Sequence, residues 1–355
     1  MLESREAHGL VRALFEGPLD VVGDVHGEID ALNDLLAVLG YDRRGHHPEG
    51  RRLVFVGDLC DRGPDSIAVM ERVGEWMERG LAQCVLGNHE LNLLRLAPKE
   101  GNGWYFDDDH DHAQGKFLVS HKADAASRAW IRRLIQGLPL ALERSDLRVV
   151  HACWSHASIA TVQSAANPDV AALHDAFRDQ TYRLLDQDGT LERARQEQTN
   201  YRKQLVDPDS LVPLLLASAR RDEAVQMSNP VRVLASGMER QAPEPFYSSG
   251  KWRMVERAPW WDDYRDDVAV VVGHYWRWPV TVDRAAFGKA GVDLFAGTTA
   301  GQGLGPRRNV FCVDYSVGRR FQERLRGQAF RTRLGALRWP ERQIAFDDGH
   351  IIAAD

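Results

Sequence analysis

The chain has 355 residues, of which 44% are hydrophobic and 27% charged, and its formal net charge is −6. This length exceeds the usual size of one compact core, so either one large domain with an insertion or two domains are expected. The acidic balance argues against duplex nucleic acid or an anionic membrane as a partner, since both favour basic surfaces. No apolar run reaches the length of a membrane span, and four scattered cysteines favour reduced thiols in a cytoplasmic protein.

Short runs rich in Val, Leu and Phe predict buried strands. In chain order these strands are Leu19–Gly23, Leu53–Gly57, Gln83–Gly87, Leu147–His151, Val268–Gly273 and Asn309–Tyr315. Helical periodicity lies between the early strands, over Ile29–Leu39, Ser66–Arg79 and Lys122–Gln136. Strands that alternate with helices indicate an α/β layered fold in which helices cover central sheets.

This alternation stops after the fourth strand. Residues 155–267 are polar and helix-rich, and the charged stretch Ala171–Gln204 is typical of a solvated helix pair. Strand signals return at Val268. We therefore predict a core made of residues 1–154 and 268–355, interrupted by a helix-rich cap at 155–267.

Three predicted strands end in motifs of acids, histidines and glycines: Gly23–Gly27 (GDVHG), Gly57–Gly63 (GDLCDRG) and Gly87–Glu90 (GNHE). Ligands of open α/β sheets bind beyond the carboxyl ends of the strands, so these loops are expected to converge at one edge. Two later strands end at His151 and His274. Carboxylate, imidazole and amide donors suit Mn²⁺, Fe or Zn²⁺, and two metals that share a carboxylate activate water for an in-line displacement.

The motifs and the two strand-end histidines resemble the signature of the calcineurin-like metallophosphoesterases, in their phosphoprotein-phosphatase branch. The resemblance implies a four-layer fold, with two central mixed β-sheets flanked by helices. It also implies two divalent metal ions, expected to be Mn²⁺ with Fe or Zn²⁺ as alternatives, and in-line attack by a metal-bridging hydroxide. The metal ligands that it implies are Asp24, His26, Asp58, Asn88, His151 and His274.

By the same resemblance, Asp24 and His26 hold the first metal, Asp58 bridges, and Asn88, His151 and His274 complete the second. Many family members have a further histidine two positions after His274, where this chain has Trp276, so the first metal is expected to lack a histidine from this loop.

The resemblance assigns three more roles. His89 matches the general acid, Asp61 the carboxylate that orients it, and Arg62 the arginine that binds the substrate phosphate together with Asn88. Imidazole donates protons near neutral pH, and guanidinium matches two phosphate oxygens, so the residue types suit these roles. A structural salt bridge is the alternative role for Arg62.

The segment 309–318 (NVFCVDYSVG) resembles the closing strands of bacterial diadenosine-tetraphosphate hydrolases, which favours a nucleotide polyphosphate as substrate. A serine/threonine protein phosphatase acting on a phosphoprotein, or another phosphomonoesterase, is the alternative. A non-catalytic protein that binds phosphorylated ligands is the alternative of a different class.

Three features lie outside the motifs. Five tryptophans are expected to pack the cap against the core, with stacking on a nucleobase as the alternative. They are Trp252, Trp260, Trp261, Trp276 and Trp278. Arg253, Arg257 and Arg277 lie among them and are each expected to be solvated or paired, with contacts to phosphate as the alternative. The run Asp107–His112 (DDDHDH) is expected to be solvated surface.

Overall fold

A computed structural model describes residues 9–106, 117, 120–248, 250–280 and 291–355, and the run Asp107–His112 lies outside them. Within these residues there are thirteen strands, β1–β13 in chain order: Val11–Ala13, Leu19–Val22, Arg52–Phe55, Ala82–Cys84, Ala141–Glu143, Leu147–Val150, Glu239–Ser248, Lys251–Arg257, Ala269–Val272, Val310–Cys312, Gly335–Trp339, Gln343–Phe346 and Ile351–Ala353. The same residues contain eleven α-helices, α1–α11: Ile29–Leu39, Ser66–Glu78, Asn88–Leu94, Gly103–Phe106, Ala125–Gln136, His156–Gln163, Val170–Gln187, Thr190–Asn200, Leu216–Met227, Pro230–Ser236 and Arg320–Leu325.

The strands form two mixed sheets and a separate hairpin. One sheet has the order β1-β5-β6-β9-β10 and is parallel except between β5 and β6. The other has the order β13-β12-β11-β2-β3-β4, in which β2, β3 and β4 are parallel and the remaining pairs antiparallel. Strands β7 and β8 pair only with each other among the described strands. The predicted fold class, α/β with mixed sheets flanked by helices, is confirmed.

The alternation of side chains along the strands explains the core. Val271 of β9 lies in a buried cluster with Val54 of one sheet and Val149 of the other, so the two sheets pack against each other through these faces. Val270 and Val272 belong instead to the larger cluster that the helices complete. Because both faces are buried, such strands appear in the sequence as continuous hydrophobic runs.

Helix α1 has the bounds that its periodicity predicts. Leu32, Leu35 and Leu39 are buried on one face, and Gly40 ends the helix in a left-handed conformation, with φ +91°. Helices α2 and α5 match their predicted ranges to within three residues.

The chain between β6 and β9 contains helices α6–α10 and the β7–β8 hairpin. Helices α7 and α8 are the pair predicted from the charged stretch. This part of the chain has a small hydrophobic cluster of its own, formed by Val212, Leu215, Ala219 and Met254. However, Val231 and Leu234 of α10 join the larger cluster. The limits of a cap at 155 and 267 stay a prediction.

Of the five tryptophans singled out in the sequence, Trp260 and Trp261 are buried and belong to the larger cluster, so these two pack in the core. All four cysteines are unpaired and buried, as predicted. In the described ranges, no helix is both long and apolar enough to traverse a bilayer.

Candidate metal centre

The motif residues lie where the carboxyl ends of the two sheets meet. Strands β2, β3 and β4 are parallel neighbours, and each leads into one of the three motif loops. Strands β6 and β9 are parallel neighbours in the other sheet, and they lead to His151 and His274. The convergence expected from the strand ends is therefore present, and all six predicted ligands come together.

The loops reach this arrangement through left-handed backbone conformations at residues other than glycine. The φ angles lie between +48° and +74° at His26, Asp58, Asp61, Arg62 and His274. Each such residue costs about 1–3 kcal/mol, and such strain concentrates at functional sites. Glycine adopts this backbone conformation with little strain, so selection for folding alone would favour glycine at these positions. The clustering of other residue types there indicates a functional constraint.

Two glycines make room for carboxylates. A Cβ atom on Gly87 would lie 2.3 Å from Oδ1 of Asp58, and one on Gly273 would lie 2.0 Å from Oδ1 of Asp24. Both distances are far below van der Waals contact, so any larger residue would displace a carboxylate from the centre.

Asp58 lies among three imidazoles. Its Oδ2 is 3.4 Å from Nε2 of His151 and 3.8 Å from Nε2 of His26. The same oxygen is 3.9 Å from Nε2 of His89. Among the residues that the structure describes, two groups of side chains are close enough to hold a cation, Asp58 with His26 and His89, and Asp58 with His151 and His274. Asp58 is thus the carboxylate that both groups share.

Asp24 and Asn88 each lie near histidines of the centre. Oδ2 of Asp24 is 3.9 Å from Nε2 of His26, and the backbone N–H of His274 donates to its two oxygens at 3.2 and 3.1 Å. Oδ1 of Asn88 is 3.2 Å from Nε2 of His151 and 2.8 Å from Nδ1 of His274. Asn88 thus lies with His151 and His274, and Asp24 lies near His26; the assignment of these side chains to metals stays a prediction and is proposed below.

Backbone carbonyls select the tautomers of two histidines. Nδ1 of His151 lies 2.7 Å from the carbonyl oxygen of Val56, and Nδ1 of His26 lies 3.0 Å from that of Cys60. A carbonyl only accepts, so each Nδ1 carries a hydrogen and each neutral ring leaves Nε2 as a lone pair.

Nε2 of His151 faces oxygens of Asn88 and Asp58. Nε2 of His26 accepts from Nη1 of Arg62 at 2.9 Å, and oxygens of Asp58 and Asp24 lie at longer range. Around His151, the converging acceptors repel one another unless a proton or a metal cation lies among them. The donor set of imidazole nitrogen, carboxylate and amide oxygen therefore fits divalent metal ions.

The pKa values of the buried groups also indicate that a positive charge near the carboxylates is favourable. Burial favours a low pKa for His151, but Asp58 and Asp24 outweigh burial and raise the pKa of His151 to about 10. Burial favours a high pKa for Asp58, but His151 and then His89 hold the pKa of Asp58 well below its usual range. Burial, and then the charge of Asp314, raises the pKa of Asp24 well above its usual range. A proton on His151 thus occupies the electrostatic role that a metal ion would take.

His89 and Arg62 lie beside this centre. Nδ1 of His89 donates to Oδ2 of Asp61 at 2.6 Å, and the indole N–H of Trp104 donates to Oδ1 of Asp61 at 2.7 Å. Arg62 lies 2.9 Å from Nε2 of His26 and 3.0 Å from Nε2 of His89. Its guanidinium also lies over the ring of Trp276, 4.6 Å from the ring centre. In the part of the chain that the structure describes, Arg62 has no ion pair with a carboxylate, which disfavours the salt-bridge alternative.

Sequence reasoning assigned no role to Glu90, the last residue of the third motif. The side chain is fully buried and accepts from the backbone N–H groups of Asp58 and Leu59 at 2.9 and 2.8 Å. Glu90 therefore joins the third motif loop to the second. Because Glu90 belongs to the third motif, the sequence could have indicated a structural role for it at this site.

Asp314 and Trp104 were also missed. Asp314 follows β10 and accepts from the backbone N–H groups of Trp276 and Ser316 at 2.6 and 2.8 Å. The rule that identified the other acids, an acid at a strand end, applies to Asp314 as well. Trp104 lies 43 positions from its partner Asp61 and has no motif signal.

Residues 17–201 match the family model described as calcineurin-like phosphoesterase. This match covers more than half of the chain, which therefore belongs to the calcineurin-like phosphoesterase family. The resemblance inferred from the motifs is confirmed.

Among curated proteins, the asymmetrical bis(5'-nucleosyl)-tetraphosphatase PrpE of Halalkalibacterium halodurans is 48% identical over 79 residues, 21% of this chain and 32% of that protein. The symmetrical bis(5'-nucleosyl)-tetraphosphatase of Ralstonia nicotianae is 31% identical over 176 residues, 46% of this chain and 55% of that protein. The chain thus spans from a third to just over half of the length of these relatives. The crystal structure of a cold-active protein-tyrosine phosphatase from a Shewanella species aligns with 99% of this chain and 84% of its own, at 15% identity and a TM-score of 0.50, which shows a shared fold.

Proposed function

We propose that this protein is a two-metal phosphoesterase that hydrolyses phosphate esters or anhydrides. The observation that carries the proposal is the convergence of carboxylate, amide and imidazole groups on Asp58, the carboxylate that two groups of histidines share. Divalent metals bound there supply Lewis acidity and an activated water for in-line displacement.

The ligand assignment follows the grouping around Asp58. Asp24 and His26 would hold the first ion and Asp58 would contact both ions. The second ion would be held by Asn88, His151 and His274. Burial is the largest cause that holds the pKa values of His26 and His274 well below their usual range, so both rings are neutral and able to ligate.

The chain's own residues would do the remaining work. Arg62 places one guanidinium nitrogen beside Nε2 of His26 and the other beside Nε2 of His89, and a phosphate bound there would accept from both nitrogens in place of the rings. Asn88 would add a further contact to the phosphate. His89 would donate a proton from Nε2 to the leaving oxygen, while Asp61 holds the ring through Nδ1.

A nucleotide polyphosphate is the favoured substrate, since curated relatives with up to 48% identity are named bis(5'-nucleosyl)-tetraphosphatases. A phosphoprotein is the alternative. Mn²⁺ is the favoured metal, because the mixed oxygen and nitrogen donor set suits it, with Fe and Zn²⁺ next. A cytoplasmic location, which the reduced thiols favour, stays a prediction.

The test is hydrolysis by the purified protein, loaded in turn with Mn²⁺, Fe²⁺ or Zn²⁺. Three substrates are compared: diadenosine tetraphosphate, a phosphoserine peptide and an aryl phosphate. We expect phosphate release that a chelator abolishes and metal restores, with two equivalents of bound metal per chain. Nucleotide products distinguish symmetrical from asymmetrical cleavage. Absence of hydrolysis on all three substrates with every metal would exclude the enzyme and favour the non-catalytic phosphate-binding alternative.

A further inference from the structure

Strand β8 carries cations on one of its faces. Residues alternate across a strand, so Lys251, Arg253 and Arg257 lie on the same face, spread over about 20 Å. Met254 and Glu256 are buried from the opposite face. We call Lys251, Arg253 and Arg257 the cationic strip.

The strip has little compensating negative charge. Its neighbours Arg221 and Arg240 form ion pairs with Asp222 and Glu256. None of the three strip residues makes such a pair with a carboxylate among the residues described. Uncompensated cations at the edge of a folded domain favour an anionic ligand.

Glu239 offsets part of the positive charge of the cationic strip. It lies opposite Arg257 in the hairpin, and it also faces Arg232 and Arg253. Burial, its largest perturbation, raises the pKa of Glu239 despite these cations. Asp222, which pairs with Arg221, also faces Lys251 and Arg253. Two carboxylates thus face a larger number of cations, and a net positive charge remains.

Arg253 and Arg257 are partly buried, Lys251 is more exposed, and the three cations repel one another. Burial and then Arg253 lower the pKa of Lys251, and Lys99 contributes from the loop after α3. Burial is also the largest cause of the lowered pKa of Arg253, to which Arg257 adds. An anion placed between these groups would remove this repulsion.

The strip begins at the metal centre. Nη1 of Arg257 donates to the backbone carbonyl of His274 at 3.2 Å. Lys99, near the other end, follows the helix that carries Asn88 and His89, and helix α10 packs against that helix. A chain of anionic groups that extends from the metal centre would therefore meet Arg257 first and Lys251 last.

We propose that the cationic strip binds the phosphate groups beyond the one that is hydrolysed. The ligand class is a chain of several linked phosphates, such as the bridge of a dinucleoside polyphosphate, and not an isolated phosphomonoester. The inference rests on the proposed function, because the metal centre defines which phosphate is attacked. The proposal takes up the sequence-based alternative that Arg253 and Arg257 contact phosphate.

Binding measurements test the strip without turnover. By calorimetry on the Mn²⁺-loaded full chain, we would compare methylene-bridged diadenosine tetraphosphate with adenosine monophosphate. The unmodified protein is expected to prefer the tetraphosphate analogue. Arg253→Gln should reduce that preference by about tenfold or more, the factor that one charge-assisted hydrogen bond supplies. Arg253→Lys, which keeps the charge, should lose less.

Two further variants complete the design. Lys251→Gln changes an exposed strip residue, so it reports on binding even where an Arg253 variant is poorly folded. Arg195→Gln removes the same charge from α8, where Arg195 is 72% exposed and pairs with Glu192, and it should leave the preference unchanged.

The two proposals fail in distinguishable ways. If the unmodified protein shows no preference for the tetraphosphate analogue, or if Arg253→Gln and Lys251→Gln both keep the preference, the strip is not a phosphate subsite. A second outcome is that the aryl phosphate and diadenosine tetraphosphate are not hydrolysed, while the binding preference is present and is reduced by Arg253→Gln. That outcome would support the phosphate subsite and contradict the hydrolytic function.

Discussion

Replacing Trp104 with Phe removes one hydrogen bond from the proposed acid pair without emptying the space that the indole fills. The indole N–H donates to Oδ1 of Asp61 at 2.7 Å, and Oδ2 of Asp61 receives Nδ1–H of His89 at 2.6 Å. Both Trp104 and Asp61 are buried, so no water replaces the lost donor freely. Trp104 would therefore be a positioning residue, acting on His89 through Asp61.

A hydrogen bond to a charged group contributes about 1.5–3 kcal/mol, which corresponds to a factor of roughly 10 to 150. Asp61 keeps its bond to His89, so we expect the lower end, a fall in kcat of about tenfold with KM nearly unchanged. The fall should depend on the leaving group, because a general acid matters most where the departing oxygen is strongly basic. Hydrolysis of an alkyl phosphate should therefore decrease more than hydrolysis of an aryl phosphate with an acidic phenol.

The assay measures kcat and KM for both substrates, with bound metal and thermal unfolding recorded in parallel. Trp76→Phe is the matched control, since Trp76 is also buried but stacks on Phe55 in the core. An equal loss on the two substrates, or no loss for Trp104→Phe, would refute the positioning role.

Three further predictions concern the centre and the fold. His89→Asn should lower kcat by about 10²–10⁴ while bound metal persists, and unchanged turnover would remove the general acid role. Asp58→Asn should leave fewer than two metals per chain by elemental analysis; two ions at full occupancy would contradict the bridging position. Asp20→Asn should destabilise the fold by about 1.5–3 kcal/mol in urea unfolding, because buried Asp20 accepts from Arg51 at 2.9 Å and Tyr41 at 2.8 Å, and its loss leaves Glu341 as the remaining carboxylate partner of Arg51. An unchanged urea midpoint for Asp20→Asn would show that this network contributes little.

The elements that sequence predicted well are those with a strong local pattern. Strands such as β2 and β9 are buried on both faces, and helix α1 repeats leucines along one side. Strands β1 and β5 were not predicted; three residues show little periodicity, and the equally short β4 and β10 were recognised only within the longer runs Gln83–Gly87 and Asn309–Tyr315. The β7–β8 hairpin was also missed, since β7 contains two prolines and its sequence is more typical of a loop.

The identities of the candidate ligands were readable from the sequence, because parallel strands bring their carboxyl ends, and the polar residues that follow them, to one edge. Tertiary structure alone decided which atoms face each other. The sharing of Asp58 between two histidine groups depends on the packing of two sheets, and the tautomers of His26 and His151 depend on carbonyls 34 and 95 positions away. The cationic strip likewise required the pairing of β7 with β8, since neither strand was predicted and the faces of a strand are defined only once it forms.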